Sequence, residues 1–238
     1  MAAKRNSRIL VISDRHCPYQ HPDAAAFLSA LKVKYRPTRI IDIGDETDGH
    51  AISFHDSDPD LLSAGHELRA AREALKPIYS LFPEVDVMWS NHGSLVFRKG
   101  LATGMPEDVF KPIGKILNAP KGWKWHKELI LTLPNGQKCL FQHDLGANAL
   151  ATSQKLGMCA VGGHRHSQFL IHKWASPFAV NWAMVIGCLI DTTSRAFAYN
   201  RGQILRPILG CGAIIDSQPR LEPMLLDSRR RWTGKLYG

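Results

Sequence analysis

Short apolar runs alternate with longer amphipathic stretches through the first half of the chain. "RILVISD" (8–14) and "RIIDIGD" (39–45) read as strands, and "HPDAAAFLSALKVKY" (21–35) between them has the apolar spacing of a helix. "DLLSAGHELRAAREALKPIYSLF" (60–82) predicts a long helix that Pro77 breaks or kinks, and "VDVMWSN" (85–91) a third strand. Strand, helix, strand, helix, strand implies parallel pairing through right-handed crossovers, hence a layered α/β core.

The second half is patterned differently. "ELILTLPNGQKCLFQHD" (128–144) is two alternating runs around Asn135-Gly136, the turn chemistry of a β-hairpin. "ANALATSQKLG" (147–157) predicts a short helix ending at Gly157. Four further strands are expected in "MCAVGGHRH", "SQFLIHKW", "FAVNWAMVIG" and "ILGCGAII". No internal repeat interrupts this order, and 1–238 reads as a single domain. Residues 98–125, rich in Gly, Pro and Lys, predict an excursion from the core, and 227–238 a mobile basic tail.

Composition narrows the class without choosing a function. At 45% hydrophobic and 21% charged, the 238 residues suffice for an ordinary core. Lys and Arg outnumber acids 30 to 21, a net +9 that makes DNA, RNA or another polyanion an attractive partner. The basic start "MAAKRNSR" leads into an apolar run that ends at Asp14, a strand rather than a signal peptide. "ASPFAVNWAMVIGCLI" is too short and too interrupted to span a bilayer, so no membrane role is expected. Five cysteines form no CxxC pair and read as reduced, buried thiols of a cytoplasmic protein; oligomeric state is left open.

Polar residues at the carboxyl ends of strands change the picture, because open α/β sheets bind ligands there. These are Asp14 and His16, Asp45 and Asp48, Asn91 and His92, His143, and His164 with His166. The series "D-R-H", "G-D-E-T-D", "N-H", "H" and "G-H-R-H" resembles the signature of the calcineurin-like metallophosphoesterases, matching from residue 14 to residue 166. That resemblance implies a four-layer α/β/β/α sandwich of two mixed sheets flanked by helices, with two divalent metal ions at its centre.

Carried onto this chain, the resemblance assigns Asp14, His16, Asp45 and His166 to one ion and Asp45, Asn91, His143 and His164 to the other. Asp45 would bridge cations about 3.5–4 Å apart. His164 and His166, one residue apart, would project to one side at roughly 7 Å and grip different ions. Such a donor set suits Mn, Fe, Ni or Zn, with Mn expected to serve in assays. Asp48 is expected to hydrogen-bond His92, which would act as general acid while a metal-bridging hydroxide attacks phosphorus.

Two departures bear on substrate. The third motif is Ser90-Asn91-His92-Gly93, lacking the usual leading Gly and trailing acid. Gly49-His50 stands where the protein phosphatases of the family carry Arg-Gly, which removes a bidentate phosphate clamp. His50 and His55 are candidate substrate contacts. "KGWKWHKE" (121–128) interleaves Trp123 and Trp125 with lysines, a pattern suited to stacking bases beside a phosphate track and equally to the packed face of a strand. The favoured expectation is a phosphodiesterase acting on nucleic acid or nucleotides. A phosphomonoesterase and a catalytically silent nucleic-acid-binding protein are the alternatives.

Overall fold

The structure is a computed structural model that describes residues 7–54, 58–200 (backbone only for 198–200) and 204–237. In chain order the elements are β1 (Arg8–Ile12), α1 (Ala24–Tyr35), β2 (Arg39–Asp42), α2 (Ala64–Leu81), β3 (Glu84–Met88), α3 (Leu95–Ala102), α4 (Ile113–Ile116) and β4 (Gly122–His126). The second half supplies β5 (Leu129–Thr132), β6 (Lys138–Phe141), α5 (Ala149–Leu156), β7 (Cys159–Gly162), β8 (Leu170–Ala175), β9 (Val180–Val185), β10 (Gly210–Ile215) and β11 (Gln218–Pro223).

Two mixed sheets result. The first runs β11-β10-β1-β2-β3-β4, and the second β5-β6-β7-β9-β8. β1 through β4 are parallel neighbours, as the alternating strands and helices require, whereas β10 and β11 return antiparallel on the far side of β1. Strands buried on both faces need apolar residues on both sides, and β1 has them from Ile9 to Ile12. Ile9 and Val11 join Ile41, Met88, Phe141, Trp182 and Met184 between the sheets. Leu10 and Ile12 face the other way, against Phe27, Leu28 and Leu31 of α1 and Ile78 of α2. The outer side of the second sheet, Leu140, Ala160 and Val185, is covered by Ala149 of α5 and Leu145. Helix, sheet, sheet, helix is therefore the layer order.

Four expectations need correction. Helix α2 runs unbroken through Pro77; the proline is exposed, so the carbonyl of Glu73 that it leaves without a donor can turn to water. The stretch 98–125 is an excursion only in part, because β4 closes it by pairing in parallel with β3. The basic tail is tied down through Tyr237: Asp23 accepts from Arg231 Nε at 2.7 Å and from the Trp232 N–H at 2.9 Å, and the Trp232 ring packs edge-on against Phe27 at 5.5 Å. Strand β11, read as part of no element, completes the sheet edge. All five cysteines are free and buried, and no helix among the described residues is long and apolar enough to cross a membrane.

Beneath the strand ends lies a buried ion pair. Arg15, wholly buried, donates to Asp42 Oδ2 at 2.6 Å. Burial opposes the guanidinium charge, but Asp42 outweighs it and holds Arg15 above its ordinary pKa. Replacing one partner strands the other as an uncompensated charge, a loss of about 3–5 kcal/mol. Arg15→Met is therefore expected to lower the unfolding free energy measured in urea by that amount, with part of the loss recovered in Arg15→Met/Asp42→Asn. Equal stability of the single variant and the parent would remove the pair from the account.

Candidate metal centre

Every candidate ligand sits just past the carboxyl end of a strand: Asp14 and His16 after β1, Asp45 after β2, Asn91 after β3, His143 after β6, His164 and His166 after β7. Chain geometry turns four of them into place through the left-handed region, with φ of 48° at Asp14, 50° at His16, 50° at Asp45 and 64° at His164. Each such residue costs roughly 1–2 kcal/mol and persists only where neighbours over-determine it. They do here. Asp14 N–H donates to Gly44 O at 2.9 Å, His16 N–H to Asp45 O at 2.8 Å, Asp45 N–H to Ser90 Oγ at 2.8 Å and His164 N–H to Asp14 Oδ2 at 3.1 Å. Gly44 permits the crossing of β2 and β3 ends: at φ +106° a Cβ there would lie 2.5 Å from Ser90 Cβ and 2.7 Å from Met88 O.

The side chains converge in two groups whose donor atoms lie within 4.8 Å of one another: Asp14, His16 and His166, and Asp45, His143 and His164. Asp45 joins them. Its Oδ2 is 3.5 Å from His16 Nε2 and 3.2 Å from His143 Nε2. Asn91 Oδ1 lies 2.7 Å from His143 Nε2, and His166 Nε2 is 3.1 Å from Asp14 Oδ1. The seven residues expected as ligands are thus gathered into one cluster.

The donor chemistry fits cations. His16 Nδ1 donates to Asp48 Oδ1 at 2.6 Å, so its Nε2 offers a lone pair. That Nε2 is buried with no hydrogen-bond partner among the described residues, and it faces carboxylate oxygens of Asp14 and Asp45. His143 Nδ1 donates to the carbonyl of Ile43 at 3.0 Å, which turns its Nε2 toward Asn91 Oδ1 at 2.7 Å and Asp45 Oδ2 at 3.2 Å. Acceptors facing acceptors in a buried place repel unless a positive centre lies between them.

The role expected of Asp48 is changed in its detail. Its carboxylate serves His16 at 2.6 Å and stands 3.7 Å from His92 Nδ1, which donates instead to the Asp48 backbone carbonyl. One residue therefore orients two imidazoles, the buried His16 by its side chain and the cleft-facing His92 by its backbone. His92 also belongs to a further triad with His16 and Asp45.

Of the remaining expected contacts, His50 stands behind Asp48, with Nδ1 3.9 Å from Asp48 Oδ2, and the two tryptophans are packed. His50 accepts from the Asp58 N–H at 2.8 Å through Nε2 and its own N–H donates to Glu67, so its ring braces a loop. His55 lies outside the described residues. Trp123 is buried against Tyr79 at 4.8 Å, with its indole N–H donating to Phe82 O at 2.8 Å. Trp125, partly buried, donates to Glu46 Oε1 at 3.1 Å. β4 is the edge strand of the first sheet, and its alternate residues Trp123 and Trp125 pack into the apolar cluster beneath the helices, so the tryptophan–lysine run is a packed strand. Glu46, fully buried beside this contact, has its carboxyl pushed up to about 7 by burial and by Asp42. Neither Glu46 nor Arg15 carries a signal in the sequence; both read as loop charges.

Comparison with known proteins adds the fold. No family model and no curated relative matches the sequence. Among solved structures, Vps29 from Chaetomium thermophilum superposes with a TM-score of 0.52 at 12% identity, over 95% of this chain and 92% of that one. Vacuolar Protein Sorting 29 from Cryptosporidium parvum gives 0.48 at 11% identity over 98% and 95%, and Pseudomonas putida nuclease MPE gives 0.40 at 14% over 90% and 86%. The chain has the calcineurin-like metallophosphoesterase fold.

Within this metallophosphoesterase fold the cluster's own electrostatics favour positive charge. Burial alone would raise the Asp45 carboxyl and lower the His143 imidazole. Mutual attraction reverses both: Asp45 falls well below the usual carboxylate range, and His143 rises to about 10. A proton is drawn to the spot where a cation would sit. Since the raised pKa keeps His143 protonated below about 10, a metal must displace that proton, and affinity must rise with pH. Competition titrations with a chelating dye at pH 6, 7 and 8 are expected to show up to about tenfold tighter manganese binding per pH unit. A pH-independent affinity would contradict this charge arrangement.

Proposed function

We propose that the protein is a dimetal-dependent phosphoesterase that hydrolyses phosphodiester bonds of nucleic acid or nucleotides. The observation that carries the reading is the convergence of His16 Nε2 and His143 Nε2 on one oxygen of Asp45, at 3.5 and 3.2 Å, from two separate ligand groups. Asp14, His16, Asp45 and His166 would hold one ion, and Asp45, Asn91, His143 and His164 the other. Divalent cations bound there supply an activated water and positive charge for the phosphoryl oxygens.

The chain's own residues do the rest. His92 lines the cleft that opens beside this cluster. Its Nδ1–H is fixed by the Asp48 carbonyl, which leaves Nε2 to carry the second proton. Burial works against that protonated form, but Asp45 and Asp48 outweigh it and raise the His92 pKa above its ordinary value. A proton held at Nε2 near neutral pH can pass to the departing oxygen, after which the neutral ring keeps its Nδ1–H on the same carbonyl.

A diester is favoured because Gly49 and His50 replace the arginine that would clamp a terminal phosphate, and because the chain carries net +9. With manganese present, bis-p-nitrophenyl phosphate is expected to be hydrolysed at least about tenfold faster, in kcat/KM, than p-nitrophenyl phosphate. A reversed preference would assign the protein to monoesters. No turnover of either would leave the fold with a binding role.

A further inference from the structure

The cleft beside Asn91, His143 and His164 has a volume of about 570 Å³, within the range of ligand-binding sites. Two cations line it, Arg98 from the middle of α3 and Lys127 just past β4. Neither has a carboxylate partner among the described residues, in a molecule where Arg15, Arg39, Arg195 and Arg231 all do. Arg98 is also held in place: its guanidinium donates to the Asn91 carbonyl at 3.1 Å and lies 5.0 Å from the Phe54 ring centre, with Lys99 Nζ 4.2 Å from the same ring. Phe54 stands at the mouth, half exposed, and Trp89 lines the wall.

Trp89 also lines a neighbouring groove of about 1020 Å³ that contains Lys115, Lys121 and Trp125. The surface is not uniformly basic. Asp144 sits on the cleft wall, within 4 Å of His164 and Arg165, and Glu107 and Asp108 border the groove. Two cations without a carboxylate partner beside Asn91, His143 and His164, in a cleft that Phe54 and Trp89 also line, are what a chain of alternating phosphates and bases would meet.

We propose that this cleft binds single-stranded nucleic acid, with a phosphate neighbouring the scissile one between Arg98 and Lys127 and a base against Phe54. The assignment rests on the phosphodiesterase reading for where the scissile group lies, and it narrows the substrate to a polynucleotide strand. Asp14, His16 and Asp45 are almost completely buried; His16 and Asp45 border a smaller cavity of about 210 Å³ that shares Asn91, His92 and His164 with the cleft, and a strand lying in the cleft would present its phosphate across that shared wall. Ring faces at the mouth are open only to bases that are not stacked within a duplex.

Binding separates this inference from the hydrolytic one. Anisotropy of a labelled oligothymidylate of about 12 nucleotides is followed in calcium and again in EDTA, across a salt series. Arg98→Ala/Lys127→Ala is expected to weaken binding at least about tenfold and to reduce the slope of log K against log salt by about 1.4, since each single-strand phosphate contact contributes about 0.7. Phe54→Ala is expected to weaken binding by about fivefold or more while leaving the slope unchanged. Lys173→Ala, exposed on the distant edge strand β8, should change neither. Parental affinity and slope in the double variant, or equally tight binding of a duplex insensitive to Phe54→Ala, would overturn the proposal. Binding that follows the expected pattern without hydrolysis of bis-p-nitrophenyl phosphate would uphold the cleft assignment and defeat the catalytic one.

Discussion

Asp45→Asn is expected to remove metal and activity together. Asp45 belongs to one ligand group and stands 3.5 Å from His16 Nε2 of the other; in the proposed arrangement it serves both ions, so loss of its charge should weaken both sites at once. The substitution is well suited to the question. Asn tolerates the left-handed backbone at φ 50°, and its amide oxygen can still accept from the His92 N–H, now 3.0 Å from Asp45 Oδ1. Folding should therefore survive. Several kcal/mol of charge stabilisation would vanish, which is about a thousandfold or more in kcat/KM. Elemental analysis after gel filtration should show fewer than half the parent's manganese ions per chain. A variant that kept full metal and full activity would mean that Asp45 is a structural residue.

His92→Ala should separate chemistry from metal binding. The ring stands 4.5 Å from His16, edge to face, and lines the cleft, so it could serve as a proton donor or as a ligand in its triad with His16 and Asp45. Only the donor role leaves metal content untouched. Turnover is expected to fall by about 10²–10⁴-fold, with the parent's metal stoichiometry retained. The pH profile supplies the sign. Because the pKa of His92 is raised, its protonated form persists above the ordinary imidazole value and is lost only as pH climbs further. The parent's kcat should therefore decline on the alkaline side, and the variant should lack that limb. Loss of an ion from the variant would move His92 into the ligand set.

The sequence made these residues visible because each follows an apolar run that ends abruptly. A strand buried on both faces tolerates no charge within the sheet, so the first polar residues past its end mark the sheet's carboxyl edge. That logic located Asp14, Asp45, Asn91, His143 and His164 at strand ends. It failed for Asp42, which sits inside "RIID" and is neutralised by Arg15 from the end of a different strand. Pairings between distant segments leave no periodic trace. The same holds for Asp48, whose nearness to both His16 and His92 depends on how two loops cross. Trp123 and Trp125 were ambiguous for another reason: alternation with lysine describes both a packed strand and an exposed stacking surface. Pairing with β3 decided for the packed strand. Arg98 and Lys127 could not be picked from thirty basic residues until the fold set both on the lining of one cleft.

The central claim is that two cations share Asp45. Crystals grown in excess manganese, with anomalous diffraction collected at the manganese edge, test it most directly. Two peaks about 3.5–4 Å apart are expected, one among Asp14, His16 and His166 and one among Asn91, His143 and His164, with Asp45 between them. A single peak, or none within reach of Asp45, would contradict the account.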